Sequence, residues 1–370
     1  MMGSGPRPFR TTAAPKLGAA DAAAARVAIG LGATAFAELV KLVPVGRSEA
    51  GAPRRVVLRM SPGELPALRR DDRLIPVAEV EVTTRCDVGQ TAPGCNYNPH
   101  VRAQLILTGN RDDTSGAGNS HVIATATQDC THADHHCTFV FTAADTAFEL
   151  GGQPCVAADR CYVNLVMWAW HPDARPGGVD DVLVGQNEGN FLDNGVVKGD
   201  SARLAAVRER GVTADDRAMR ETTGGGSLDM PLDARGVVVY SHRLKDGDLI
   251  AGEQFYIEAK SVAAVSSRAR YSTEMIVTKD PRATSNDGGI NDILPRAINE
   301  GNGRNCTDGT SPCTARKVAV LRVIGDIHEP VYVNVIAHSE VPGPGTARVT
   351  VRRGEGFVRS VRYAARLAGP

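Results

Sequence analysis

Three histidines and an aspartate lie within one short segment that two cysteines bound, Cys130-Thr-His-Ala-Asp-His-His-Cys137. The candidate ligands are His132, Asp134, His135 and His136. Neutral imidazole and carboxylate groups bind Zn²⁺, Cu²⁺ and Ni²⁺, so this segment could hold one of these metal ions. A small ring, however, rarely directs three adjacent imidazoles towards one tetrahedral centre. We therefore favour a solvated loop tip, with the metal site as the alternative.

Both tryptophans of the chain lie on one predicted strand, at Trp168 and Trp170. Side chains alternate between the two faces of a strand, so the indoles share a face with Asn164. Indole rings stack on sugar rings or anchor protein partners, and an exposed face with these three residues would bind a ligand. Large apolar groups are usually buried. We therefore favour indoles that another part of the chain covers, with a ligand-binding face as the alternative hypothesis.

Oxygen-rich clusters occupy two loops at corresponding places in the chain. Asp112 and Asp113 lie in the first loop, and Asp287 and Asp292 lie in the second, each with neighbouring asparagines. Ca²⁺ takes carboxylate and amide oxygens as ligands, so these aspartates are candidate calcium ligands. Neither cluster follows the EF-hand spacing, and Asn, Asp and Gly are also the ordinary residues of tight turns. The favoured interpretation is turn structure without a cofactor.

The eight cysteines fall into four close pairs, with none left over. Close pairs in loop-like sequence can form small disulfide rings, which persist in oxidising compartments. None of these pairs has the cysteine spacing that is usual in tetrahedral zinc sites. Eight cysteines also allow other connectivities. We nevertheless predict disulfide bonds between neighbours, and an extracellular or cell-surface location, from the pairs Cys86 and Cys95, Cys130 and Cys137, Cys155 and Cys161, and Cys306 and Cys313.

Residues 1–54 form a candidate N-terminal leader. Basic residues precede an uncharged stretch over 27–37, and cleavage after Ala35 would fit the preference for small residues at signal-peptide cleavage sites. The apolar run is short and glycine interrupts it, so an amphipathic leader helix is the alternative to a signal peptide. Neither this run nor any later apolar stretch is long enough to predict a membrane span.

An internal repeat organises the rest of the chain. Its firmest anchor is the pattern C-T-x(5)-C-T, which begins at Cys130 and again at Cys306. Hydrophobic runs recur in the same order around the anchor, among them Tyr-Val-Asn at 162–164 and at 332–334. Several blocks in one order are hard to produce by chance, so the chain is predicted to contain one module twice. The predicted domains are 55–211 and 236–370, with a linker or long loop at 212–235.

The repeated blocks predict β-strands. They are short runs rich in Val, Ile, Tyr and Thr, separated by turn clusters rich in Gly, Asn and Asp, as in β-sandwich domains. The 39 glycines and 21 prolines also favour short strands and tight turns. We therefore expect an all-β protein with two tandem antiparallel β-sandwich domains of jelly-roll or immunoglobulin-like type, which arose by internal duplication and carry disulfide-stapled loops.

Charge and motifs argue against several functions. The chain has 42 basic and 42 acidic side chains, so nothing in its net charge favours binding to nucleic acid or anionic lipid. The sequence lacks a nucleophile elbow, a zinc-protease helix motif, a phosphate-binding loop and a dinucleotide fingerprint. Paired carboxylates for glycoside hydrolysis need not be close in sequence, so that chemistry stays open.

The function that we favour is a secreted or surface-exposed structural or binding protein without catalytic chemistry, such as an adhesin, an appendage subunit or a coat subunit. Its partner would be a glycan, a protein or further copies of the chain. The alternative is a carbohydrate-active enzyme or its carbohydrate-binding accessory module. Features found in only one repeat are the best candidates for function, because the shared fold does not require them.

Overall fold

The computed structural model describes residues 34–37, 41–63, 65, 68–85, 99–130, 136–172, 181–184, 202–210, 217–231, 236–266, 269–284, 312–323, 325–340 and 348–363. Over these residues the protein is all-β, as the sequence predicts, with four one-turn helices at Glu49–Gly51, Ala143–Thr146, Pro154–Ala157 and Arg353–Glu355. None of the described helices is long and apolar enough to cross a membrane.

The first repeat is a two-layered sandwich. One layer contains β1, β11, β4, β7, β8 and β10, and the other contains β3, β9, β5 and β6. Strand β2 pairs with β10 and with β9, so it joins both layers into one eleven-stranded sheet. The strands are β1 (Thr34–Ala37), β2 (Lys41–Gly46), β3 (Arg55–Met60), β4 (Asp72–Arg85), β5 (His100–Thr108), β6 (His121–Asp129), β7 (His136–Phe141), β8 (Phe148–Glu149), β9 (Tyr162–Trp170), β10 (Asp181–Val184) and β11 (Ala202–Arg210).

The second repeat has the same two layers. Its larger layer has the order β12-β20-β15-β19-β13, with β17 paired to β15, and its smaller layer has the order β14-β18-β16. The strands are β12 (Arg217–Thr223), β13 (Ser227–Asp229), β14 (Val237–Arg243), β15 (Gln254–Val265), β16 (Arg270–Thr278), β17 (Cys313–Arg322), β18 (Tyr332–Glu340), β19 (Val349–Arg352) and β20 (Phe357–Tyr363).

The two repeats share strand register as well as strand order. Thr108 of β5 lies opposite Tyr162 of β9, and Thr278 of β16 lies opposite Tyr332 of β18. Each repeat also has a β-bulge at the equivalent place, in β3 and in β14. A slip of one residue would turn every side chain of a strand to the opposite face, so the matched registers give matched cores.

Two segments that the sequence assigns to a leader and a linker contain strands of the sandwiches. Strands β1 and β2 of the 1–54 leader pair with β11 and β10. Strands β12 and β13 of the 212–235 linker pair in the same way with β20 and β19. Both sandwiches therefore include strands from these segments. Backbone hydrogen bonds to neighbouring strands hold these short strands, and such bonds leave little trace in hydrophobic patterning. Residues 1–33 lie outside the described chain, so signal cleavage stays a prediction.

Each repeat has its own hydrophobic core between its layers. Leu74, Phe139 and Phe141 are among the largest buried side chains of the first core, and Tyr240 and Phe255 are among those of the second. Because each core is closed within its repeat, each sandwich buries its apolar surface largely by itself.

The repeats pack against each other through their larger layers. An ion pair lies in this contact: Lys317 Nζ is 2.5 Å from Glu79 Oε1, and each side chain is only 4% exposed. The Tyr256 hydroxyl accepts a hydrogen bond from the backbone N–H of Ala143 across the same contact. A buried charge without its partner is costly, so this pair favours one arrangement of the two faces. The buried apolar residues of the contact are Ile75, Val77, Ala205, Val207, Tyr256, Val318 and Val320.

Disulfide bonds pin two loops of the first repeat. Cys130 and Cys137 connect the end of β6 to the start of β7, and Cys155 and Cys161 close a ring around a one-turn helix. These two predicted pairs are confirmed. Cys313 is also disulfide-bonded, and no cysteine is free in the described part of the chain. The pairings of Cys86 with Cys95 and of Cys306 with Cys313 involve residues outside it and stay predictions.

Candidate binding surface

Strands β9, β5 and β6 lie side by side in the first repeat and present one face away from the main core. Val101, Ala103 and Leu105 of β5 belong to that core. Because side chains alternate along a strand, His100, Arg102 and Gln104 lie on the opposite face. We name this surface the β9–β5–β6 face. It contains all three residues that the sequence proposes for ligand binding.

Trp168 lies on the β9–β5–β6 face but is fully buried. It packs with Ala52, Ile106 and Val166 in a small apolar cluster outside the main core. The guanidinium carbon of Arg54 lies 4.3 Å from the centre of its ring. The chain just before β3 therefore covers this indole. Covering an indole removes a large apolar area from water, which favours this arrangement.

Trp170 is only partly buried and is the accessible indole of the pair. The His100 ring lies beside it, with ring centroids 5.3 Å apart and planes tilted by 33°. The guanidinium carbon of Arg102 lies 5.4 Å from the Trp170 ring centre. Trp170 thus combines an apolar ring with neighbouring hydrogen-bonding groups.

Arg102 connects the indoles to the surrounding chain. Its Nε donates a hydrogen bond of 2.9 Å to the Thr127 hydroxyl on β6. Its Nη1 forms an ion pair with Glu49, which lies in the helical turn between β2 and β3. Because these contacts fix the guanidinium in one place, it loses little conformational entropy when it contacts a ligand.

The remaining polar residues of the face pair across β5 and β6. His100 Nδ1 shares a hydrogen bond with the Asp129 carboxylate, and Gln104 Nε2 donates to the Thr125 hydroxyl over 3.1 Å. The face therefore presents donors and acceptors in rows that cross the strands. These residues were not among the candidates from the sequence, although alternation along β5 places His100, Arg102 and Gln104 on one face of that strand.

The second repeat lacks this combination of residues. His338 of β18 occupies the position of Trp168, because it lies opposite Ser272 just as Trp168 lies opposite Arg102. Its Nε2 lies 3.4 Å from Glu274 Oε1. Among the described strands, β16 pairs with β18 alone, whereas β5 also pairs with β6. The second repeat thus has the same described layers without either indole.

Asn164 has a structural role in the described chain. Its side chain is fully buried, and Nδ2 donates to the carbonyl oxygens of Arg111 and Asp113, at 3.2 and 3.0 Å. Asn334 of the second repeat donates in the same way to the carbonyls of Asp280 and Ala283. Asn164 therefore pins a loop.

The carboxylates proposed for calcium binding already have protein partners in the first loop. Asp112 pairs with the Arg59 guanidinium at 2.7 Å, and Asp113 accepts hydrogen bonds from Ser115 and Ser120. Burial alone would raise the pKa of Asp113, but these hydrogen bonds outweigh it and hold that pKa below its ordinary value. The loop is thus built from turn contacts, and a calcium site at these carboxylates stays a prediction. Asp287 and Asp292 lie outside the described residues.

The candidate metal ligands lie almost wholly outside the described residues. His132, Asp134 and His135 are not in the described ranges, and His136 begins β7 opposite Thr83. A metal site in this ring stays a prediction. Within the part of the chain that the structure describes, no group of three His, Cys, Asp or Glu side chains is placed to hold a metal ion.

Comparisons with known proteins give no family for this chain. No family model matches it, and no curated protein matches it. Solved structures show distant likeness. An infectious bursal disease virus structure, of the Gt strain, matches over 90% of this chain and 69% of its own, with 12% identity and a TM-score of 0.28.

Two further solved structures are similarly distant. The VP2 subviral particle of infectious bursal disease virus matches over 90% of this chain and 76% of its own, with 12% identity and a TM-score of 0.26. The tandem CBM22 domain of Xyn10C from Paenibacillus barcinonensis matches over 90% of this chain and 94% of its own, with 9% identity and a TM-score of 0.21. Likenesses this distant carry no argument about what the chain binds or does.

Proposed function

We propose that the protein is an extracellular carbohydrate-binding protein without catalytic chemistry, and that it holds its ligand on the β9–β5–β6 face. The observation that carries the proposal is the difference between the repeats. Both share layers, register and the buried loop-pinning asparagine, yet only the first combines an accessible indole with rows of polar side chains. The fold does not require this combination, so a function in binding is the best explanation of it.

The chemistry of the face favours a sugar over other ligands. The Trp170 ring can stack on the apolar face of a sugar ring. Around it, Arg102, Gln104 and Asp129 supply planar groups that donate or accept hydrogen bonds, which suits vicinal hydroxyls. Arg102 is already neutralised by Glu49, so the face offers hydrogen bonds rather than an unbalanced charge. A neutral glycan fits these groups better than a polyanion does.

The length of the face favours a short oligosaccharide. The polar rows begin at the His100 and Trp170 pair and continue along β5 to Gln104. A strand rises by roughly 3.3 Å per residue, so the rows extend over about 13 Å. This distance exceeds one sugar ring, and we therefore expect affinity to increase with chain length up to a few sugar units.

Disulfide bonding supports the proposed location. The two described disulfides of the first repeat, and the bonded Cys313, are compatible with an oxidising compartment. Such a compartment is also where a polysaccharide ligand would be met.

The test is a glycan array with the intact protein, followed by calorimetric titration of the best oligosaccharide. Replacing Trp170 by alanine should weaken binding by about tenfold or more, because a central aromatic contact commonly dominates an interface of this kind. The matched control is Phe357→Ala, since Phe357 is a partly buried aromatic residue beneath Arg359 in the second repeat. This control should bind normally.

Two outcomes would contradict the proposal. One is an array without a reproducible ligand, and the other is equal affinity in the wild type and Trp170→Ala. Hydrolysis of the bound oligosaccharide during titration, detected by mass spectrometry, would instead support the alternative of a carbohydrate-active enzyme.

A further inference from the structure

Strand β12 ends the larger layer of the second repeat. It pairs with β20 over all seven of its residues, and no other described strand pairs with its second edge. The backbone groups along such an edge can pair with another strand. Two other described strands of this layer also have a single partner, β13, which pairs with β19, and β17, which pairs with β15. Of the three, β12 is the strand that carries an exposed large apolar side chain.

Met219 lies in the middle of β12 and is 67% exposed. The other exposed large apolar residues among those described are Val122 and Ile250, at 36% and 42%. Met219 lies opposite Val361 of β20, which packs against the apolar contact between the repeats. Paired residues share a face of a sheet, so Met219 continues this apolar strip by one strand. The strip therefore reaches the sheet edge uncovered by the described residues.

The sequence of β12 is complementary to itself in one antiparallel register. If two copies of β12 pair around a two-fold axis at Met219, Met219 lies opposite its own copy. The same register places Arg217 of one chain opposite Glu221 of the other, twice over. Opposite charges and apolar residues in directly opposed positions stabilise antiparallel pairs, whereas like charges destabilise them.

We propose that two copies of this chain associate through β12, edge to edge, in the antiparallel register centred on Met219. The two larger layers then form one continuous sheet across a two-fold axis, and the exposed methionines cover each other. The interface is isologous, because each chain contributes the same strand. The proposal is independent of carbohydrate binding, since β12 and the β9–β5–β6 face belong to different repeats.

Cysteine cross-linking tests the register directly. Opposed residues of an antiparallel pair have Cα atoms about 4.5–5.5 Å apart, which is within the range that a disulfide spans. Met219→Cys should therefore give a disulfide-linked dimer on non-reducing electrophoresis after mild oxidation at micromolar protein. Ile250→Cys, an exposed apolar position elsewhere in the same repeat, is the matched control and should stay monomeric.

Charge reversal tests the same register without cysteine. In sedimentation velocity, wild-type protein should give a dimer. Glu221→Arg should shift it to monomer, since arginines would then oppose each other. Combining Glu221→Arg with Arg217→Glu should restore the dimer. Glu221 also pairs with Arg359 of its own chain, so Arg359→Ala is included and should leave the dimer in place.

Three outcomes would overturn the proposal. The first is wild-type protein that stays monomeric at about 100 μM, because this result would exclude a dimer with a dissociation constant well below that concentration. The second is equal cross-linking of both cysteine variants. The third is a Met219→Cys thiol that stays monomeric and resists alkylation, because another segment of the same chain would then cover the edge.

Discussion

Asn164 and Asn334 make the same pair of hydrogen bonds in the two repeats. Each side-chain amide donates to two carbonyl oxygens of the loop that follows the neighbouring strand. Both asparagines are fully buried, so the carbonyl groups that accept from them point away from water and need a donor from the protein. One buried asparagine in each repeat thus determines the path of a loop.

Replacing either asparagine by alanine should lower the free energy of unfolding by about 1–3 kcal/mol, because the Asp113 or the Ala283 carbonyl loses the donor that the asparagine supplies. The aspartate variants should be no better, since a carboxylate accepts hydrogen bonds and would repel the same carbonyl oxygens. Urea denaturation of Asn164→Ala, Asn334→Ala and their aspartate equivalents measures this. A stable aspartate variant would show that the donated hydrogen bonds contribute little.

His242 is a buried titratable group that should make stability depend on pH. It lies between the hydroxyls of Thr222 and Ser360, at 2.9 and 2.8 Å, and is 1% exposed. Burial, and to a smaller extent the charge of Arg220, lower the pKa of His242 from 6.5 to about 4. The neutral imidazole is therefore the form that fits this site.

The sign of the pH effect follows from this lowered pKa. The unfolded chain binds a proton near pH 6.5 and the folded chain only near pH 4. The free energy of unfolding should therefore be highest above pH 6.5 and fall as the pH is lowered from 6.5 to 4. The loss should level off below pH 4, at roughly 3 kcal/mol. Urea denaturation from pH 4 to pH 8 measures it. His242→Gln cannot titrate, so an unchanged slope in that variant would assign the effect to other groups.

Among the elements, β6 and β7 are joined by a ring that belongs to both layers of the first repeat. Cys130 directly follows β6 in one layer, and Cys137 lies in β7 of the other layer. Their disulfide joins the two strands, with Cα atoms 5.5 Å apart. The Gln128 side chain also donates to the Thr138 carbonyl across this junction. The ring therefore helps to hold the outer strand of the β9–β5–β6 face against the opposite layer.

Removing this disulfide by Cys130→Ser with Cys137→Ser should lower the free energy of unfolding by about 2.5 kcal/mol, from the entropy of a small closed loop. Hydrogen exchange should increase in β6 more than in β4, because β4 stays paired on both edges. Mass spectrometry of exchanged peptides measures both strands. Equal increases in the two strands would contradict a local role for the ring.

At the scale of the whole molecule, the two repeats form a single contact surface through their larger layers. The apolar residues of this surface flank the buried Lys317–Glu79 pair. Apolar contacts alone would tolerate sliding of one face over the other, whereas an ion pair with one geometry does not. This contact explains how a tandem repeat can hold its β9–β5–β6 face and its β12 edge in a fixed relation.

Removing one member of the ion pair should be costly, and removing both should not. Lys317→Met or Glu79→Leu alone should lower the free energy of unfolding by about 3–5 kcal/mol, because each removes one charge of a buried ion pair and leaves the other in place. The double variant should be within about 1.5 kcal/mol of the wild type. A double-mutant cycle in guanidinium chloride measures this coupling. Additive effects would show that the two charges do not interact in the folded protein.

Local patterns in the sequence were sufficient to predict the fold class, the duplication and the two described disulfides of the first repeat. These features depend on local pattern: alternating runs predict strands, and cysteines a few residues apart can pair only by closing a small loop. The Tyr-Val-Asn blocks at 162–164 and 332–334 aligned the repeats, and the structure places both in the same register.

The neighbours and the burial of each side chain could be read only from the three-dimensional arrangement of the strands. Alternation along β9 correctly placed Trp168 on the side away from the main core, but the Arg54 segment that covers it comes from far away in the chain. Asn164 likewise shares that side by alternation, and its side chain pins a distant loop. Strands β1 and β12 were missed because hydrogen bonds to partner strands, rather than their own composition, hold them. Burial and pairing are properties of contacts between distant segments, and a single sequence records such contacts only weakly.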